Sequence, residues 1–79
     1  MMYKFLSWDT FREICRDDAL NWYHSGYTAA ELTPADIINE IPAEYWEDVE
    51  YAPDDTHRSF TAQEIAEATI EVLAQIEQL

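Results

Sequence analysis

Apolar side chains recur along this chain at helical rather than strand spacing. Phe11, Cys15, Ala19 and Trp22 fall four, four and three residues apart, with Trp8 and Ile14 flanking them, while Arg12, Glu13, Arg16 and Asp17 lie off that stripe. Such a pattern predicts an amphipathic helix with one face on a core. Ser7 stands where a helix of this reach needs its N-cap. Gly26 stands just past Ser25, where a left-handed residue would stop it.

Two start signals follow. Thr28 and Glu31 form a capping-box pair with Tyr27 and Leu32 as its hydrophobic staple, and Thr33-Pro34-Ala35-Asp36 offers a cap, a first-turn proline and a first-turn acid. The second signal is the stronger. It predicts a turn at 29–32 and a helix from Pro34 to about Glu40 that buries Ile37, Ile38 and Ile41. Pro42 biases Ile41 away from helical angles and starts another short helix, to about Glu50, with Tyr45, Trp46 and Val49 inward.

Residues 51–60 lack periodicity and carry Pro53-Asp54-Asp55, the signature of a loop. The last helix is specified best. Thr61 and Glu64 make its capping box, Phe60 and Ile65 its staple, and Ile65, Ala68, Thr69, Val72, Leu73, Ile76 and Leu79 one stripe. Alternation is weak everywhere, with residues 2–6 alone reading as a short edge strand or extended arm. The expected fold class is all-α: one small domain, residues 1–79, of three to four helices with short connections.

Charge changes the picture more than composition does. Residues 17–79 hold fifteen acids and one base, Arg58, a formal charge of −14 on that stretch. Acidic chains poor in aromatics are usually disordered, but 48% hydrophobic and 14% aromatic content is enough to nucleate a core around Trp8, Trp22, Trp46 and Phe60. A single cysteine, Cys15, precludes an internal disulfide, and no apolar run is long enough to span a bilayer, which together predict a soluble cytoplasmic protein. Phosphate backbones and anionic lipids would both repel the chain, so neither nucleic acid nor membrane is an expected direct partner. A basic protein is.

Catalytic and cofactor chemistry finds no purchase. One glycine cannot build a phosphate-cradling loop. Cys15 lies on the apolar stripe, remote from the environment an activated thiolate needs. His24, His57 and Cys15 are too scattered for zinc, and Asp54-Asp55-Thr56-His57-Arg58 lacks the alternation and glycine of a calcium loop. Ser59, preceded by Arg58, is a poor prosthetic-group site for an acyl carrier. The expectation is a non-enzyme without cofactor or metal.

From Asp36 to Asp55 there are eight acids, Asp36, Glu40, Glu44, Glu47, Asp48, Glu50, Asp54 and Asp55, and no base. On helices, acids three or four apart sit about 5–6 Å from one another, a spacing broadly comparable to that of successive nucleic-acid charges. Glu64, Glu67 and Glu71 would extend that surface, and Tyr45 and Tyr51 interleave with the acids as flat platforms for arginine. None of these rows carries the i, i+4 lysine that ordinary solvated helices use to relieve repulsion.

Shortness, acidity, aromatic content and a single domain together resemble the small inhibitors that phages and other mobile elements deploy against bacterial defence, notably DNA-mimic anti-CRISPR proteins. That resemblance is one of type and transfers no residue roles. It implies a non-catalytic inhibitor that occupies the basic nucleic-acid channel of a CRISPR surveillance complex or similar defence enzyme. The rival reading is a helical interaction module, antitoxin-like or an assembly protein, binding through exposed Trp8, Trp22, Tyr23 and Tyr45.

Overall fold

The computed structural model describes residues 2–79, and it overturns the all-α expectation. Strand β1, Tyr3–Ser7, pairs antiparallel with β2, His57–Thr61, in the register Tyr3 to Thr61 through Ser7 to His57. Between and after them come α1 (Trp8–His24), a 3-10 turn (Ala29–Glu31), α2 (Pro34–Glu40), a second 3-10 turn (Ala43–Tyr45) and α3 (Ala62–Ile76). The protein is a small mixed α/β domain.

The strand hidden in the supposed loop has a physical explanation. His57-Arg58-Ser59-Phe60-Thr61 contains one large apolar residue, so alternation leaves no visible trace. Its two buried members, Ser59 and Phe60, are adjacent and face opposite sides of the sheet. Phe60 points with Leu6 into the core. Ser59 faces outward, where its hydroxyl accepts from the Tyr51 N–H at 2.8 Å and donates to the Tyr51 carbonyl at 3.1 Å, pinning the preceding loop across the sheet. A lone two-stranded ribbon is marginal in water, and helices must cover one side of it. Leu6, Cys15, Phe60 and Ile65, drawn from β1, α1, β2 and α3, make that junction.

A second correction concerns residues 42–50. In place of a helix there is a single 3-10 turn, after which the chain extends and Glu47 bridges to Tyr3 through two backbone hydrogen bonds of 2.8 Å. The open edge of β1 supplies the partner that a nine-residue helix would have had to forgo. Val49, expected inward, is 61% exposed.

Of the capping signals, the pair Thr28 and Glu31 meets only side chain to side chain and caps no backbone N–H, while the others behave as their chemistry requires. Ser7 Oγ accepts from the Thr10 N–H at 3.1 Å, and Gly26, at φ +90°, turns the chain so that its N–H and that of Tyr27 reach the carbonyls of Tyr23 and Trp22. At α3 both halves of the box form: Thr61 Oγ1 accepts from the Glu64 N–H and Glu64 Oε1 from the Thr61 N–H, each at 3.1 Å. α3 is the central element. α1 and α2 both pack on it and hardly on each other. A second core cluster of Ala19, Leu32 and Leu73 joins α1, the first 3-10 turn's exit and α3. Trp8 does not nucleate the core: it stands 43% exposed, edge-on to buried Phe60 at 5.2 Å.

Candidate functional site

Because α1 and α2 lean on α3 without closing on one another, a trough runs between them. Three adjoining hollows of about 270, 270 and 360 Å³ make it up; the first two share Asp18 and Asn21, the last two Trp22 and Glu40. One end is apolar, walled by Ile14, Ile41, Ile65 and Tyr45. The other is walled by Trp22 and Tyr27, whose rings meet edge to face at 4.9 Å.

Five carboxylates line this trough, Asp17 and Asp18 from α1, Glu31 from the 3-10 turn, Asp36 and Glu40 from α2, and none of the described lining residues is basic. They are strung along it rather than focused: among the described residues no three His, Cys, Asp or Glu side chains are placed to hold one metal ion. Burial pushes the Asp18 carboxyl above its ordinary range, a hydrogen bond from Trp22 opposes that, and repulsion from Glu40 adds to it. Asp36 is fixed by capping α2, its Oδ2 accepting from the Thr33 N–H at 2.9 Å and the Thr33 hydroxyl at 3.1 Å.

The remaining acids singled out by the sequence lie elsewhere. Glu44, Asp48, Glu50 and Asp55 are exposed, but Glu44 sits in the second 3-10 turn and the others outside any helix, so the α-helical spacing expected of them is absent. Glu47 is half-buried, with Oε2 buried and unpartnered among the described residues. Asp54 folds its own loop, accepting from the N–H groups of Thr56 at 2.8 Å and His57 at 2.6 Å. Those backbone bonds hold its carboxyl below the ordinary range, with His57 Nδ1 3.6 Å away adding charge. Glu64 is tied to Arg58, while Glu67 and Glu71 stay exposed on α3.

The aromatic platforms are partly taken. Lys4 Nζ lies 4.6 Å from the ring centre of Tyr45, which is half-buried, and Tyr51, 46% exposed, packs on Phe5 at 5.4 Å. Cys15 is a core residue: its thiol donates to the Ile65 carbonyl at 3.8 Å, and burial raises its pKa, the reverse of nucleophile activation.

Asp36, Glu40 and Tyr45 are therefore the expected site residues that the fold brings together. Asp17, Asp18 and Glu31 were not among those expected. A signal for Asp18 was present, since it stands three residues after Cys15 and four before Trp22, a charge set into an apolar stripe. No family model matches the chain, and neither a curated protein nor a solved structure shows significant similarity to it. No helix among the described residues is long and apolar enough to cross a membrane.

Proposed function

We propose that this chain is a non-catalytic inhibitor whose carboxylates compete with nucleic acid for the basic groove of a bacterial defence complex, such as a CRISPR surveillance complex. The observation that carries this reading is how few acids the chain pairs with its own cations. Of its seventeen acids, only Asp9, Asp54 and Glu64 form ion pairs among the described residues. The rest have no ion-pair partner among the described residues, and those that are exposed are available to another molecule's arginines and lysines.

Charge density supports the same reading. The Cα trace of the described body measures 36 × 24 × 15 Å, so even its thin dimension is about two screening lengths at physiological salt and charges on opposite faces are largely screened from one another. The face turned to a basic groove therefore acts through its own carboxylates, which steer the groove toward the protein and raise the association rate. Imitation here rests on charge density over a rigid surface. Among the acids expected at the site, regular helical spacing survives in Asp36 with Glu40 and in the row Glu64, Glu67 and Glu71.

Capture from a bacterial lysate at low salt, with bound proteins identified by mass, supplies the partner. Reversing Glu44, Asp48 and Glu50 to lysine, all exposed and outside the core, is expected to abolish that binding while the circular dichroism spectrum is unchanged. Trp8 and Tyr23, 43% and 45% exposed, provide the contrast. If alanine at those two positions abolished binding and the charge-reversed protein still bound, the aromatic interaction-module reading would replace this one.

A further inference from the structure

We infer that the apolar end of the trough receives an arginine side chain of the basic partner, its stem between Ile14, Ile41, Ile65 and Tyr45 and its guanidinium against Asp17 and Asp18. This rests on the partner being basic, as proposed above, and adds where and by which side chain it is held.

Size is the first argument. At about 270 Å³ the hollow falls just below the range of drug-sized ligand sites, and it opens at one side, which suits a single long side chain reaching in from a larger surface. Chemistry is the second. Three isoleucines and an aromatic ring offer nothing to a phosphate or a sugar, but they match the methylene stem of a long cationic residue, which buries its carbons and keeps its charge at a polar edge. At that edge Asp17 is exposed and Asp18 half-buried, so the two carboxylates lie at different depths, with the Asn21 side chain beside them.

Arginine fits better than lysine. Its planar fork gives up hydration more readily and engages carboxylates through paired N–H donors, whereas an ammonium is compact and strongly hydrated. Asp18 is already partly stripped of water and pressed by Glu40, a cost that no cation among the described lining residues relieves and that an incoming guanidinium would. The wall also holds an orphan. Tyr45 Oη is buried without a hydrogen-bond partner among the described residues, an acceptor within the same wall for a guanidinium N–H left over by the carboxylates.

An NMR titration of the ¹⁵N-labelled protein with a nine-residue oligo-arginine peptide, and with oligo-lysine of the same length, tests this. Saturable shifts are expected at Asn21, Ile41 and the Trp22 indole N–H. Asp18→Asn should weaken oligo-arginine binding about tenfold, as should Ile41→Trp, which fills the hollow without touching a charge. Asp9→Asn, which removes one carboxylate already paired with Arg12 and outside the trough, should leave it nearly unchanged. Equal affinity for oligo-lysine overturns the choice of arginine. Shifts spread over all acidic segments, with Asp18→Asn no worse than Asp9→Asn, overturn the pocket while leaving the general charge reading in place. Shifts that depend on protein concentration without peptide make a second copy the occupant and also overturn it. No shift with either peptide at low salt defeats both readings together.

Discussion

The corner around Trp8 and the trough between α1 and α2 treat charge in opposite ways. At the corner, Arg58 Cζ lies 4.5 Å from the Phe60 ring centre and 5.4 Å from that of Trp8, Arg12 lies 5.8 Å from the same indole, and the two guanidiniums also pair with Glu64 and Asp9. Arg58 thereby closes the junction of β2, α1 and α3, while Arg12 and its exposed partner Asp9 settle their charge within α1. In the trough five carboxylates meet no cation among the described residues, and one of them is half-buried. The difference separates charge that holds the fold together from charge that the fold sustains at a cost. Only the second kind requires an explanation outside the molecule.

The largest effect should come from breaking the corner. Phe60 is 1% exposed and stacks on Phe11 with ring centres 4.0 Å apart, so Phe60→Ala is expected to cost about 3–5 kcal/mol, enough to leave a domain of this size largely unfolded in a urea titration. A loss below about 1 kcal/mol would mean that the β2 junction is not the core. Arg58→Met keeps the apolar stem but removes the charge. With the ion pair more than a third exposed, the expected loss is about 1 kcal/mol or less, and the trough should bind oligo-arginine as before.

At the trough the sign reverses. A carboxyl whose folded pKa lies above its unfolded value favours folding fully below the ordinary carboxylate range, and that contribution is lost as pH rises through the folded pKa. Asp18 is such a group. At neutral pH Asp18→Asn should therefore raise the melting temperature, by an amount that shrinks to nothing once the solution is acidic enough to protonate wild-type Asp18. A lower melting temperature at neutral pH would contradict the account of Asp18 as an uncompensated charge. Asp54, in the loop that closes over the sheet, is the opposite case: its contribution is present above the ordinary carboxylate range and fades as pH falls through its depressed folded pKa. Asp54→Ala should lower the melting temperature slightly at neutral pH and leave it unchanged in strong acid.

What could be read from the sequence was what neighbouring residues decide among themselves. Ser7, Thr33 with Pro34, Thr61 with Glu64, and Gly26 mark helix ends because their partners lie within four residues, and the stripe of α3 follows from one period. β2 was not legible, since its partner strand lies more than fifty residues away and its own five residues carry no alternation. The helix expected over 42–50 failed for the same reason: Tyr3, remote in sequence, captures Glu47 in extended form. Likewise, the acidity of the chain was plain, but the placing of it was not. Asp18 meets Glu40 only because two helices share α3, and a carboxylate in an isolated helix pattern gives no hint of a neighbour from another one.

The most direct test of the central claim is competition. Fluorescent duplex DNA bound to the captured partner should be released as this protein is added, with its anisotropy falling to the free value, and raising salt from about 50 to 200 mM should weaken the protein's own hold steeply, as contacts to an array of charges require. Anisotropy that stays high while this protein also binds, the two ligands held together, would contradict the claim that its carboxylates occupy the place of phosphates.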